Sequence, residues 1–284
     1  MIVITGASGS LGNLVVEALS NKQSHTPIKL TSRTPEKLSS WDSKGYSVAR
    51  FDFDDPASME EALIGCSTLL LVSGDAPVEK RIKQHKAAID AAKKMGVNHI
   101  VYTSFVNPIA ESLFPFATIH QQTERSLIES KISYSILRNP SYIENLAGAL
   151  THARQTGVLA LPGAKGKSTY LAKQDIAKII VELLTSNNES SSIYELSGPE
   201  AIDLFEIATL ASDIWGTKVE AQVLPEENFK QMLSQVGLPE FMVTAISGLQ
   251  QATAAGEYDL VSNTATQILG NKMLTIRDYL KTFA

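Results

Sequence analysis

The sequence predicts an α/β fold: a doubly wound parallel sheet joined to a smaller, mainly helical C-terminal lobe. Three observations carry this. Short apolar runs alternate with helix-length amphipathic stretches through the first half of the chain. The runs are continuously apolar and lack the in–out alternation of strands with one wet face. The rhythm then changes after Arg138. Parallel neighbours need a crossover, and helices on both faces of the sheet supply it.

Taken in order, IVIT reads as the first strand and LGNLVVEALS as the helix that leaves it. PIKLTS, YSVARFD, TLLLVS, HIVYTS and ISYSILR read as the next five strands. Between them, PEKLSSW, PASMEEALIG, VEKRIKQHKAAIDAAKKMG and the stretch from Glu111 to Ser130 read as helices. Pro56 sits early in its helix with Asp55 before it, and Pro77 stands similarly after Asp75, both helix-start signals. Gly96 after Lys93 and Lys94 reads as a helix stop.

Beyond Arg138, NPSYIENLAGALTHARQ reads as a helix, GVLALPG as a short strand and AKGKSTYL as a loop. KQDIAKIIVELLTS is a strongly apolar helix, and SIYELSG adds a sheet strand. From Asp203 the chain reads as mainly helical, with one strand at KVEAQVL. The expected domains are residues 1–139 with 171–199, and a smaller lobe of residues 140–170 with 200–284. Ligands of open parallel sheets bind at the carboxyl ends of the strands, where this lobe is expected.

Composition excludes several classes. At 284 residues, with 44% hydrophobic and 19% charged residues, the chain can bury a sizeable core as an ordinary globular protein. A formal net charge of -5 argues against nucleic-acid binding, which needs concentrated Lys and Arg. The single cysteine, Cys66, rules out an intramolecular disulfide, and its apolar setting reads as a buried structural thiol. MIVIT is too short for a signal segment, and STLLLVSG falls short of the roughly 18 residues of a spanning helix. The expected compartment is the cytoplasm, without a membrane partner. His25, His85, His99 and His152 share no metal-ligand spacing, so no metal is expected. Met232, Met242 and Met273 read as core fillers. Whether the chain forms a homo-oligomer stays open.

The chemistry begins at GASGSLG, where Gly6, Gly9 and Gly12 follow an N-terminal strand and open a helix. Glycines there permit a tight turn, close approach of backbone N–H groups to a pyrophosphate, and close helix–strand packing. The helix N-terminus adds unpaired donors and partial positive charge. This is the dinucleotide-binding, Rossmann-type arrangement, with Gly6, Ser8, Gly9, Ser10, Leu11 and Gly12 as the cradle. The tip of the second strand carries Ser32 and Arg33, with no carboxylate before Glu36. A carboxylate there would bind the ribose of NAD(H), whereas a guanidinium suits a 2′-phosphate, so the expected cofactor is NADPH. The alternative is a solvated loop arginine. Asp52 and Phe53 stand where the adenine would lie, although Asp52 reads equally as a turn or cap residue. Ser73 and Gly74 end the fourth strand and would face the ribose. Thr103 and Ser104 end the fifth strand, beside Tyr102, which also reads as core. Lys165 and Lys167 lack the strand and glycine spacing of a P-loop, and a mobile lid reads better.

GASGSLG, SR, DFDD, HIVYTS and LRNPSYIEN together resemble the atypical short-chain dehydrogenase/reductase superfamily. More narrowly the chain resembles its NmrA-like group, which includes bacterial NADPH:quinone reductases and triphenylmethane reductases. HxxTE in the central helix and the later YELSG are group-specific, and the likeness covers essentially the whole chain. It implies a Rossmann core, NADPH and a substrate cleft between that core and the C-terminal lobe. It also makes Asn139 and Tyr142 neighbours of the nicotinamide and substrate, although Tyr142 reads as well as lobe packing.

The wider superfamily carries Tyr-x-x-x-Lys, in which Lys lowers the Tyr pKa for proton transfer. Here no Tyr is followed four residues later by Lys, and Phe116 and His120 stand at that spacing. Quinones fit such a site, because hydride addition leaves an aromatic hydroquinone anion that takes its proton from water. His120 then either helps an oxyanion or the ribose, or pairs with Glu124 at i+4. Phe105, Phe114 and Phe116 either face a flat acceptor or belong to the core. The expected function is an NADPH-dependent reductase of a small quinone or similar conjugated, electron-poor aromatic. The competing reading is an NmrA-like redox sensor that binds NADP(H) without turnover. A sugar-nucleotide epimerase or lyase relative would need the missing Tyr–Lys pair.

Overall fold

The computed structural model describes residues 1–22, 26–163, 166–186, 190–270 and 272–284. His25 and Lys165 therefore lie outside the described residues. The six expected N-terminal strands all form: β1 (Ile2–Ile4), β2 (Ile28–Ser32), β3 (Ser47–Arg50), β4 (Thr68–Leu71), β5 (His99–Phe105) and β6 (Ser133–Asn139). Pairing is parallel from β3 through β2, β1 and β4 to β5. Every residue of β1 is buried, which is why its sequence is apolar without alternation.

The crossovers are α1 (Ser10–Asn21), α2 (Ser39–Asp42) after a 3-10 turn at Pro35–Leu38, α3 (Pro56–Ala62), α4 (Val78–Lys94) and α5 (Ala117–Ser130). Helix α1 turns Leu11, Val15, Val16 and Leu19 inward, the spacing of one helical face. Each such burial contributes roughly 1.5–3 kcal/mol. Pro56 is the first residue of α3, and the Asp55 carboxylate caps it by accepting from Ser58 N at 3.3 Å. Pro77 is instead the capping residue of α4. At the other end of α4, Gly96 takes φ +73° while Val97 N donates to Ala92 O at 3.0 Å, a left-handed stop that favours glycine.

The remaining elements are β7 (Ser141–Tyr142), α6 (Ala147–Thr156), β8 (Val158–Leu161), β9 (Ser168–Leu171), α7 (Lys173–Thr185) and β10 (Ser192–Glu195). Then follow β11 (Ala201–Ile202), α8 (Leu204–Trp215), β12 (Glu220–Val223), α9 (Glu226–Gln235), α10 (Glu240–Ala254), α11 (Thr264–Leu269) and α12 (Ile276–Lys281). The main sheet is seven-stranded, in the order β10-β6-β5-β4-β1-β2-β3. Among the described residues, no helix is long and apolar enough to cross a membrane.

Two compact units emerge. The first comprises residues 1–104, 119–138 and 176–194, the second residues 105–118, 139–175 and 195–284. The first has a core of Val3, Met59, Leu69, Ile89, Ile100 and Ile136, among others. Cys66 is buried in that core, and burial raises its thiol to about 11, as expected of a structural residue. The second gathers Leu146, Leu150, Ile207, Trp215 and Leu280, and Trp215 Nε1 donates to Leu280 O at 2.9 Å.

Three local expectations are corrected. The helix expected from Glu111 begins only at Ala117. Ser112 Oγ and Leu113 N both donate to the Glu257 carboxylate, at 2.5 and 3.0 Å, so this stretch is committed to the second unit. The helix expected over 139–155 begins as strand β7 and a 3-10 turn, and α6 starts at Ala147. Finally, the expected loop AKGKSTYL contains β9, which pairs with two-residue strands β7 and β11. Partners that short leave no periodic signal.

Candidate functional site

The three glycines of the first loop do different work. Gly6 takes φ +59°, a left-handed conformation that suits glycine. Gly9 N donates back to Gly6 O at 2.9 Å, and Gly9 caps α1 in an extended conformation. At Gly12 a Cβ would lie 2.2 Å from Gly6 O, so the helix packs against the loop at glycine distance. Helix α1 has no side-chain cap and no acidic residue in its first turn. Its leading N–H groups and partial positive charge are left for an anion. Gly6, Ser8, Gly9 and Ser10 are exposed, whereas the Leu11 side chain is buried, so Leu11 can offer only its backbone.

A cleft of about 310 Å³ opens beside this loop in the first unit. It brings together Gly6, Ser8, Arg33, Asp52, Phe53, Ser73 and Gly74, all expected from sequence. The Ser8 and Ser32 hydroxyls meet at 2.8 Å, and Thr34 N donates to Ser32 Oγ at 3.1 Å. Ser32 thereby ties the glycine loop to the turn that presents Arg33. Lys37 also lines the cleft and was missed. Its signal was its place four residues after Arg33, in the 3-10 turn at the end of β2. Asp52 serves the turn reading: Arg50 Nη2 and Asp54 N occupy its two oxygens at 2.7 and 3.0 Å. The Phe53 ring lies 3.7 Å from where a Gly74 side chain would begin, so glycine keeps this wall open.

Within the same unit a buried polar seam explains the HxxTE pattern. Gly74 N donates to His85 Nε2 at 3.1 Å. His85 must then carry its proton on Nδ1, which donates to Thr123 Oγ1 at 2.9 Å, and that hydroxyl donates to Ile119 O at 2.7 Å. The Tyr102 hydroxyl meets His120 Nδ1 at 2.9 Å. Glu124 accepts from Ser104 Oγ at 2.6 Å and from Arg138 Nε and Nη2 at 3.0 and 2.7 Å. The carboxylate that the i+4 spacing offers to His120 is thus taken by other partners. Burial first, then the Arg81 charge, pulls His85 down to about 3. Burial likewise holds His120 well below the usual range, with His85 and Arg81 adding to it. Both rings are neutral at physiological pH. Burial raises Tyr102, which stays a phenol.

Thr103, Ser104 and Asn139 are buried and fall outside the residues that line the cleft. Thr103 Oγ1 accepts from Ser73 N at 2.9 Å, and Asn139 O accepts from Val106 N at 2.9 Å.

The second unit has its own cavity, of about 750 Å³. Leu146 and Ala149, Val158 and Leu161, Phe229 and Leu233, and Ile246 and Leu249 form most of its wall. Met232 and Met242 also line it, which corrects their reading as core fillers. Its polar groups are Ser141, Asn145, His152, Tyr170, Gln222, Gln250 and Thr253, with no Asp, Glu, Lys or Arg among the described lining residues. Phe105, Phe114 and Phe116 pack instead into a ring cluster with Tyr258 and Phe241. Tyr142 lies under the Lys173 ammonium, 5.3 Å from its ring centroid. Burial, with Glu144 adding to it, raises the Tyr142 phenol to about 12. Among the described residues, no group of His, Cys, Asp and Glu could hold a metal ion.

The model of the NmrA-like family matches residues 1–280. Quinone oxidoreductase 2 of Escherichia coli (strain K12) is 31% identical over 278 residues, covering 98% of this chain and 96% of that protein. The crystal structure of Citrobacter sp. triphenylmethane reductase complexed with NADP(H) superposes with a TM-score of 0.92 at 27% identity, covering 100% of this chain and 99% of that one. An Escherichia coli NADPH-dependent quinone oxidoreductase complexed with NADPH gives 0.91 at 31% identity, covering 99% of each.

Proposed function

The chain belongs to the NmrA-like family, and from that membership we propose that it is an NADPH-dependent oxidoreductase whose acceptor is a quinone or a similar conjugated, electron-poor molecule. One observation carries the cofactor half. The uncapped start of α1 opens beside a cleft lined by Arg33 and Lys37, and no carboxylate follows β2 before Glu36. This suits a pyrophosphate with a 2′-phosphate and disfavours the bare ribose of NADH. Gly6, Gly9, Ser8, Ser10 and the backbone of Leu11 would hold the pyrophosphate, and Arg33 with Lys37 the 2′-phosphate. Phe53 and Asp52 would border the adenine, and Ser73 with Gly74 a ribose. Bound NADPH supplies a hydride.

The protein's own residues position and exclude water. Thr103 fixes the Ser73 amide and His85 fixes the Gly74 amide, so the cleft wall is set before the cofactor arrives. Ser104 and Glu124 bond each other at the end of β5, and Asn139, the last residue of β6, secures the chain beyond β5 by accepting from Val106 N. His120, neutral and held by Tyr102, acts as a positioning residue and not as a proton carrier. Tyr142 keeps its proton at physiological pH and lies outside the residues that line the two cavities, so no base role falls to it. No strong general acid is needed when the reduced acceptor is an aromatic anion that water protonates. The apolar cavity of the second unit supports an apolar acceptor. The test follows NADPH absorbance with a panel of quinones and dyes. Oxidation with quinones is expected. Tight NADPH binding without oxidation by any acceptor would contradict the reductase and favour a sensor.

A further inference from the structure

Tyr170 lines the cavity of the second unit and was not singled out by sequence, because AKGKSTYL reads as a loop. The residue is held in place from its backbone: it stands on β9, opposite Ser141 of β7 in parallel register. Among the described residues its hydroxyl makes no hydrogen bond, unlike that of Tyr102. Burial alone raises the phenol to about 12, so it keeps its proton across physiological pH. Tyr170 is partly buried and its Oη is not among the buried atoms that lack a partner, so the hydroxyl keeps access to open space at the wall of the cavity and is available to donate.

We propose that the Tyr170 hydroxyl is the hydrogen-bond donor for a carbonyl oxygen of a neutral quinone bound in this cavity. The inference rests on the reductase reading above and names the group that recognises the acceptor. The lining carries no carboxylate to balance a cation and no Lys or Arg to balance an anion. Burying an unpaired charge there is unfavourable, whereas an uncharged dicarbonyl ring is not. Of its polar groups, Ser141, Tyr170, Gln250 and Thr253 are not among the exposed residues, while Asn145, His152 and Gln222 are. Thr253 Oγ1 already donates to Leu249 O at 2.9 Å, and Tyr170 carries the longest fixed donor of the rest. Hydride addition to the quinone brings two electrons, and the new negative charge settles on a ring oxygen. A fixed O–H donor in a mostly apolar site stabilises that charge more than it stabilises the neutral carbonyl. Tyr170 keeps its own proton, and water supplies the one that completes the hydroquinone.

Tyr170→Phe tests the assignment while preserving the ring. With 1,4-naphthoquinone as acceptor, kcat/KM should fall roughly 10- to 100-fold, with the NADPH Kd unchanged. Calorimetric titration of both proteins with 1,4-naphthoquinone and with 1-methylnaphthalene separates the hydrogen bond from packing. The quinone should bind roughly tenfold more weakly to the variant, and the hydrocarbon equally well to both. Unchanged quinone binding, or equal losses for both ligands, would overturn the assignment. If the unmodified protein oxidises no NADPH with the quinone, the reductase reading falls, and the titration still decides the role of Tyr170.

Discussion

Replacing Gly12 by Ala tests the loop most severely. The new methyl carbon would lie 2.2 Å from Gly6 O, 2.8 Å from Gly6 C and 2.9 Å from Ala7 Cα. The first distance is about 0.8 Å inside the 3.0 Å limit that Cβ atoms respect, and all three neighbours are backbone. Relief requires moving the loop, which is tied by Gly9 N to Gly6 O at 2.9 Å and by Ala7 N to Thr31 O at 3.0 Å. Overpacking costs about 1–3 kcal/mol and each weakened hydrogen bond about 1 kcal/mol. A total near 3–5 kcal/mol corresponds to a melting temperature roughly 6–15 °C lower. Gly9→Ala is the contrast. Its methyl would stand 3.2 Å from the same oxygen, on exposed backbone, so stability should change by less than about 1 kcal/mol. Its NADPH Kd should nonetheless rise at least about tenfold, because backbone can no longer approach the pyrophosphate closely. Differential scanning fluorimetry and NADPH fluorescence titration read both quantities. A Gly12→Ala protein with unchanged melting temperature and unchanged NADPH affinity would refute the reasoning.

Other expectations follow from the same geometry. Arg33→Ala and Lys37→Ala should each weaken NADPH binding roughly tenfold while leaving NADH binding within about twofold, and equal losses for both nucleotides would place these cations elsewhere. His85 and His120 are neutral in the folded protein and have depressed folded pKa values. Between pH 3 and 6.5 the unfolded chain binds more protons at His85, so stability is full above about pH 6.5 and is lost as the pH falls. The loss by pH 5 should be about 2 kcal/mol at His85, with His120 adding to it in the same direction. Urea titrations at pH 7.5 and 5, compared between the unmodified chain and His85→Phe, check the slope. Glu124→Ala removes the buried carboxylate that Ser104 and Arg138 both bond and should destabilise by about 3–5 kcal/mol in urea titration. A loss below about 1 kcal/mol would show that the seam relaxes around it.

The first unit was legible in its sequence because its signals are local. Six strands and the caps at Asp55 and Gly96 follow from apolar runs, prolines and glycines. The cleft residues Gly6, Ser8, Arg33, Phe53, Ser73 and Gly74 follow from their places at strand ends. What sequence did not disclose depends on distant partners. The HxxTE residues could be recognised as a pattern, but Thr123 meets His85 and His120 meets Tyr102 only in three dimensions. Thr103 and Ser104 point to a ribose by position, yet their hydroxyls are engaged within the protein. Strand β9 depends on two-residue partners from opposite sides of α7, so Tyr170 stayed hidden. Phe105, Phe114 and Phe116 carry the same chemistry whether they face an acceptor or each other, and packing alone decided.

The central claim is that a hydride passes from NADPH to a quinone without a dedicated protein acid. The most direct measurement is anaerobic turnover of 1,4-naphthoquinone with NADPH deuterated at the transferred position, followed for both reactants from pH 6 to 9. The account predicts one hydroquinone formed per NADPH consumed, a primary isotope effect on the hydride step, and a rate for that step free of any histidine titration. Bound NADPH that is never oxidised, or a hydride step that switches on with a pKa near 6.5, would contradict it.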